Sequence, residues 1–425
     1  MKKGISTFAL YLILISVVLV IFSGCTDEVS VVKRVFGEDL MMGIEVDTCV
    51  ENADISRENT VLITDFAMRL FQKSMMEEEG NALVSPLSVI NALAMTANGA
   101  RGETLSQMEE VFGAGVPELN KYLHAYIKGL PAGDKFKLSI ANSIWFRDDE
   151  RFTVEPDFLQ ANANWYGAGM YKAPFNNLTL KAINKWVEVK TDGMIKNILD
   201  EIPQDAVMYL INALAFDAEW DSIYYDHQVR DGEFTKEDGE KQKIELMYSE
   251  EGKYLTDDDA TGFIKYYNGC EYAFAALLPD EGLGISDYVA SLTGQRLSSI
   301  LANPENTKVN AAIPKFESES SFELSDTLKT MGMTNAFDGY AADFSGIGSS
   351  TNGNIFISRV IHKTFIAVDE KGTKAGAATI VEMRDNAALV DPEPVKVVHL
   401  DRPFLYMIID CKTNMPIFIG TAMEI

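Results

Sequence analysis

Four histidines, His124, His227, His362 and His399, are the natural places to look for a general base beside a serine or cysteine nucleophile. His124 and His227 lie among polar neighbours and read as exposed. His362 falls in the apolar run Ile361–Val368, where the expected role is a buried core histidine satisfied by hydrogen bonds. The chain has no Gly-x-Ser-x-Gly elbow, no His-Glu-x-x-His zinc helix, no Walker-type phosphate loop and no Gly-x-Gly-x-x-Gly after a strand. No catalytic residue, cofactor or metal is therefore expected. Cys49, Cys270 and Cys411 are too widely spaced for a CxxC pair or a zinc knuckle, although one pair could bridge in an oxidising compartment. One stretch remains, Glu370-Lys-Gly-Thr-Lys-Ala-Gly-Ala-Ala-Thr379, followed by Ile380 to Leu389 and then Pro392 and Pro394. At period two, Thr373, Ala375, Ala377 and Thr379 share one face and Lys374, Gly376 and Ala378 the other. Every residue on the first face is small enough for the segment to slide between existing strands. The plain alternative is a surface loop with no role, and loops this long in compact domains tend to be functional or disordered.

Composition narrows the partners. The chain has 425 residues with 47% hydrophobic and 24% charged, which is an ordinary globular balance. Its formal net charge of −26 excludes a nucleic-acid partner, because duplex binding needs a positive footprint. Basic residues are too scattered for a glycosaminoglycan site. Lys2 and Lys3 precede an apolar run from Phe8 to Phe22, and Ser23 and Gly24 then lead into Cys25. That order reads as an export signal over residues 1–25, and its end resembles the lipobox of prokaryotic lipoproteins, which places a lipid on Cys25. A plain cleaved signal or an uncleaved anchor is the alternative, the run being shorter than the roughly 20 residues of a span. Either reading exports the body to the outside or the cell surface, with the membrane touched only through that anchor. Residues 26–57 are polar and acidic and suit a tether. Residues 58–425 contain no linker and no repeat and read as one large domain.

The elements that must carry the segment can be placed by pattern. Leu62, Phe66 and Leu70 mark one helix, and Ser85-Pro86 opens another bearing Val89, Leu93 and Ala97. Thr104 and Gln107 form a capping box for a third that ends before Gly113. Leu119, Tyr122, Leu123 and Tyr126 lie on a fourth, with later helices around 182–190 and 323–331. Strands follow at Leu138–Phe146, 271–278, 309–316, 355–369, 395–400 and 404–410. Val207–Phe216 is apolar on both faces except for Asn212, which makes it a central strand with an amide that needs partners. Helices first and strands after give an α+β class.

The chain resembles the serpin family over about residues 58–425. Asn81-Ala-Leu-Val-Ser85-Pro86-Leu-Ser88, Asn142-Ser-Ile-Trp-Phe146, Ile183-Asn-Lys-Trp-Val187, Leu210-Ile-Asn212-Ala-Leu-Ala-Phe216 with Trp220, Ile313-Pro-Lys315-Phe316, Met331-Gly-Met333, Asp401-Arg-Pro403-Phe404 and Phe418-Ile-Gly420 follow one another in the family's order. The segment from Glu370 matches the hinge of the family's reactive-centre loop, here about 370–394.

The resemblance implies three sheets, about nine helices and an exposed loop cleaved by a target endopeptidase, serine or cysteine. It further implies that the acyl-enzyme is trapped covalently as the loop enters the main sheet. Serpin loop insertion is itself a standing example of strand addition and released strain. The hinge would be Gly372, Thr373, Ala375, Gly376, Ala377, Ala378 and Thr379, with Gly372 supplying backbone freedom and the alanines a low steric barrier. Lys374 departs from the acidic residue often found there but lies on the opposite face. Ser85, Ser88, Asn212 and His362 correspond to the polar cluster where the main sheet parts, called the shutter. Trp220, Lys315 and Glu370 correspond to the breach where insertion begins, with a Lys315–Glu370 pair at the loop's base. The family's spacing from Glu370 places the cleaved bond at Asn386–Ala387, with Arg384–Asp385 the alternative. Arg384 suits a trypsin-like enzyme, Asn386 an asparagine-directed one, and Met383 would name another class. The 14 residues from Gly372 to Asp385 would span about 46 Å as a strand. Expected partners are the target protease alone, with the inhibitor a monomer. The runner-up is a non-inhibitory serpin acting as a binding or structural protein; an enzyme comes third. Asn177-Leu178-Thr179 is an acceptor sequon only in a host that glycosylates.

Overall fold

A computed structural model describes residues 37–47, 55–76, 80–150, 152–203, 206–351, 353–373 and 395–425. Among them are nine α-helices: α1 (Arg57–Met75), α2 (Pro86–Ala97), α3 (Gly102–Phe112), α4 (Val116–Lys128), α5 (Pro156–Tyr166), α6 (Asn177–Lys190), α7 (Ile285–Ser291), α8 (Gly294–Ala302) and α9 (Ser325–Met331). Eighteen strands form three sheets, giving the expected α+β class.

The main sheet has seven strands in the order β1 (Glu38–Asp39), β5 (Gly169–Ala173), β3 (Phe136–Arg147), β6 (Met208–Glu219), β15 (Gly372–Thr373), β14 (Arg359–Val368) and β12 (Phe316–Glu323). At one end β6 and β14 pair directly and in parallel, from Arg359 opposite Tyr209 to Thr364 opposite Leu214. At the other end they part, and β15 lies antiparallel to both, with Thr373 opposite Ala218 and Val368. The run Met208–Phe216 of β6, apolar except for Asn212, fits this central position, since both of its faces are covered.

The second sheet runs β16 (Lys396–His399), β11 (Glu305–Pro314), β8 (Lys241–Thr256), β9 (Ala260–Tyr266), β10 (Tyr272–Pro279), β17 (Phe404–Asp410), β18 (Pro416–Ala422) and β2 (Ala82–Val84), with β7 (Val229–Thr235) beside β8. A ribbon of β4 (Phe152–Val154) and β13 (Gly348–Ser350) completes the set. The core between the large sheets takes in α1, α2 and their neighbours, whereas α6 lies on the other face of the main sheet, where Ile183 and Val187 pack in one cluster with Trp145, Tyr209, Ile211 and Ile361. The two sheets are also tied by hydrogen bonds through Leu83 of β2, whose N–H donates to Ser320 Oγ at 3.0 Å and whose carbonyl accepts from Thr364 Oγ1 at 2.7 Å.

Several expectations need correction. Helix α3 begins at Gly102 after Arg101, so Thr104 makes no capping box; its hydroxyl accepts from Asp343 N–H instead, and Gln107 Oε1 accepts from Asn335 N–H. The expected strand 309–316 is two strands broken at Lys315, and β12 escaped notice because its inward residues include Ser318 and Ser320, which carry little apolar signal. The strand expected from 355 starts only at Arg359. Within the presumed tether, Glu38 and Asp39 pair with Lys172 and Tyr171 and cap the open edge of β5, so that part belongs to the folded body. Asn177 of the sequon sits in the first turn of α6, and its Thr179 is buried and accepts from Asn176 N–H. Residues 1–36 lie outside the described residues, among them Cys25 and the run read as an export signal.

Thr364→Val keeps shape but removes a buried donor. It should lower unfolding stability by about 1–2 kcal/mol in urea titrations, with an unchanged m-value.

Candidate functional site

Asn212 sits on β6 directly opposite His362 on β14, and the two side chains close the paired end of the main sheet. His362 Nδ1 donates to Asn212 Oδ1 at 2.9 Å, while its Nε2 accepts from the Ser85 N–H at 3.0 Å. Since a backbone N–H can only donate, the ring is the neutral Nδ1–H tautomer. Asn212 Nδ2 donates in turn to the Ser88 carbonyl and, at 2.6 Å, to Asn142 Oδ1. The amide thus satisfies both its ends, as a fully buried Asn must. Ser85 and Ser88 join the cluster through their backbones alone; their hydroxyls are buried without a partner. Ser85 precedes α2 without a side-chain cap, and its backbone N–H is taken by His362. Burial without a compensating charge pushes the His362 imidazole down to about 3. It is a structural histidine, as its apolar setting suggested.

At the parted end, Asp369 to Gly372 forms a tight turn. Asp369 Oδ1 accepts from the N–H groups of Lys371 at 2.7 Å and Gly372 at 3.1 Å, the usual local preference of Asp in turns. This turn aims β15 between β6 and β14. Trp220 takes hold of it twice: its backbone N–H donates to Lys371 O and its indole Nε1–H to Asp369 O, each at 2.8 Å. Tyr224 N–H donates to Glu370 O at 2.8 Å. Three successive carbonyls at the loop's base are held by two aromatic residues. The Trp220 ring stacks on Tyr267 at 4.4 Å, and the Tyr267 hydroxyl meets Thr373 Oγ1 at 2.5 Å, so Thr373 is seated in the core.

The pair expected at the loop's base is present. Lys315 Nζ lies 3.1 Å from Glu370 Oε2 and 3.3 Å from Glu245 Oε2. Partial burial pushes the Glu370 carboxyl up, but a backbone hydrogen bond and Lys315 outweigh it and hold the group below its usual range. Burial acts the other way on Lys315, yet its two carboxylates raise it overall. Both side chains keep substantial contact with water, so the pair is worth at most about 1 kcal/mol and acts as an orienting contact.

Trp220, Lys315 and Glu370 are therefore together with Gly372 and Thr373, and Ser85, Ser88, Asn212 and His362 form a second group further down the same pair of strands. Lys374, the hinge residues Ala375, Gly376, Ala377, Ala378 and Thr379, and Met383, Arg384, Asp385, Asn386 and Ala387 lie outside the described residues. Asn142, Tyr224 and Tyr267 were not among the expected site residues. Asn142 carried a usable signal, a polar residue in the apolar alternation of β3; the two tyrosines carried none, since only the fold brings them under Trp220. The described residues hold no cluster able to bind a metal.

The family model for serpins, serine protease inhibitors, matches residues 62–425. The chain is a serpin. A serpin-like protein of Thermococcus kodakarensis is 32% identical over 85% of this chain and 84% of its own length. The human leukocyte elastase inhibitor is 29% identical over 84% of this chain and 97% of that protein. Among solved structures, the thermophilic serpin tengpin in its native state is 46% identical, covering 92% of this chain and all of that one, with a TM-score of 0.87. In its latent state the same protein superposes with 44% identity, 88% and 99% coverage and a TM-score of 0.77. The serpin fold expected from the sequence is present here, with β6 paired to β14 at one end of the main sheet and residues 372–373 lying between them at the other.

Two measurements probe this geometry. A β-carbon on Gly372 would fall 2.0 Å from Ala218 O and 2.9 Å from Glu219 Cα, both backbone atoms that cannot yield. Gly372→Ala should undock β15, and hydrogen exchange at the Trp220 N–H should rise about tenfold or more. The second concerns pH. The unfolded imidazole binds a proton below its ordinary value of 6.5, whereas the folded one resists until about 3, so stability falls as pH drops through that window. The slope is about 1.4 kcal/mol per pH unit, and His362→Gln should flatten it between pH 6.5 and 4.5 in denaturant titrations.

Proposed function

We propose that this serpin is an inhibitor, a suicide substrate that traps a serine or cysteine endopeptidase by inserting its cleaved loop into the main sheet. The observation that carries this reading is β15: two hinge residues already occupy the gap between β6 and β14, antiparallel to both. The ladder has begun in the orientation a full insertion needs. From Thr373 opposite Ala218, each step along the loop moves one residue back along β6. In that register Thr379 would reach Asn212, and residue 383 would reach Met208 at the far end of the strand. The face with Thr373, Ala375, Ala377 and Thr379 would then turn toward the core, where only small groups fit without a large barrier. Lys374 would come opposite Asp217, which lies on the half-exposed face.

Insertion past Thr364 must separate the parallel pairing of β14 with β6 and break the hydrogen bond between His362 and Asn212. That cost is met by a new pair of ladders on both sides of the incoming strand. The reaction on the protease is ordinary acyl transfer up to one point: its nucleophile attacks the loop carbonyl, the new amino terminus leaves, and the ester or thioester awaits water. Inhibition then rests on insertion outrunning deacylation. In this reading the cleaved bond is Asn386–Ala387, with Arg384–Asp385 the alternative. The chain is an exported monomer tethered through a lipid on Cys25. The name of the human leukocyte elastase inhibitor supports the class of partner, an endopeptidase.

Incubation with trypsin-, subtilisin-, elastase- and legumain-like proteases, read by denaturing gels and intact mass, should give an SDS-resistant adduct and a released peptide whose mass names the bond. The cleaved protein should melt more than about 10 °C above the intact one, as several kcal/mol of added strand pairing requires. Cleavage with no adduct and an unchanged melting midpoint would leave the non-inhibitory reading.

A further inference from the structure

Beneath the breach lies a lysine that the loop-insertion reading does not use. Lys265, on β9, has a side chain only 3% exposed, and its ammonium pairs with Glu251 Oε1 at 2.9 Å. Lysine is almost never this buried unless something holds it. The same ammonium lies 4.4 Å from the centre of the Tyr224 ring and 5.4 Å from that of Trp220. It therefore touches both aromatic residues whose backbones grip the loop's base. The support continues outward, for Ser249 Oγ donates to Glu251 Oε1 at 2.7 Å and lies 3.2 Å from the Tyr224 hydroxyl. Lys265, Glu251, Ser249 and Tyr224 thus close a ring of contacts around one cation.

A buried ion pair of this kind is weak support for stability, because desolvating both charges offsets their attraction. An apolar residue would fill the same space at no such cost. What the cation adds is direction: attraction to a ring face falls away once the ring tilts or withdraws, so two rings drawn to one point are held in one orientation. Ring orientation sets where the Trp220 indole N–H points, and this donates to the Asp369 carbonyl at 2.8 Å, while anchoring both rings steadies the stretch whose backbone N–H groups receive the carbonyls of Lys371 and Glu370.

We propose that Lys265 is a positioning residue for loop capture. By holding the Trp220 and Tyr224 rings together, it keeps the breach ready to receive the loop and so sets the rate of insertion relative to hydrolysis of the acyl-enzyme. This rests on the inhibitory reading above.

The test compares the intact protein with a Lys265→Met/Glu251→Gln double variant, which removes the cation without stranding a carboxylate. Lys265→Arg, which keeps a cation, is the conservative variant, and Tyr224→Leu removes one ring while leaving its backbone N–H in place. The expected result is that the double variant and Tyr224→Leu need at least about three times more inhibitor per protease trapped, a rise in partition toward substrate. The rate constant for first encounter should stay within twofold, and Lys265→Arg should restore the normal stoichiometry. A purely structural lysine would lower the melting midpoint and leave stoichiometry untouched, and that result would overturn the proposal. A second assay needs no protease: annealing of a synthetic peptide of residues 373–385 into the sheet, followed on native gels, should be at least about threefold slower in the double variant. If the intact protein traps no protease yet anneals the peptide at the same rate as the variant, both readings fail. If annealing alone is slowed, the inhibitory reading fails and the positioning role stands.

Discussion

The arrangement of the main sheet rests on one hydrogen-bonded contact between two strands that are only half paired. His362 Nδ1–H to Asn212 Oδ1 joins β14 to β6 at the end where they run side by side, while at the other end the same strands are wedged apart by Gly372 and Thr373. Strands that pair at one end and admit a third at the other have two ways to satisfy their backbones, and these differ by the number of rungs each provides. The buried cluster around Asn212 is what holds the first way in place. It is fully connected except for two serine hydroxyls, and a neutral imidazole lets it exist without a buried charge.

The other end is built differently, with Gly372 and Thr373 lying between β6 and β14. Stacked rings of Trp220 and Tyr267 form a floor, and N–H groups from Trp220 and Tyr224 face the loop. The ion pair of Lys315 with Glu370 lies nearer to water and orients the turn without binding it tightly. Polar closure thus holds one end of the sheet and aromatic contacts the other, a contrast in keeping with the proposed insertion from the aromatic end.

Much of this could be read before the fold. Asn212 announced itself as the one polar residue in an otherwise apolar strand, and an amide so placed had to be buried and partnered. His362 was expected to be a core histidine on the same grounds. The run of small residues after Gly372 was plain from size, and beyond Thr373 it lies outside the described residues. Local pattern was less dependable at element ends: the Thr104 capping box gave way to a tertiary hydrogen bond to Asp343, and β12 was hidden by its inward serines.

Side-chain size, period and polarity are properties of the chain, and they pointed to an α+β class with a central apolar strand and a lone buried amide, while the family entered through the order of its motifs. Partnership is a property of space. Only the tertiary structure decided that Asn212 meets His362 across 150 positions of sequence, that Ser85 and Ser88 contribute backbone groups in place of hydroxyls, and that Lys265 lies under Trp220. Such pairings follow from strand register and crossovers, which bring together residues far apart in the chain, and no local spacing encodes them.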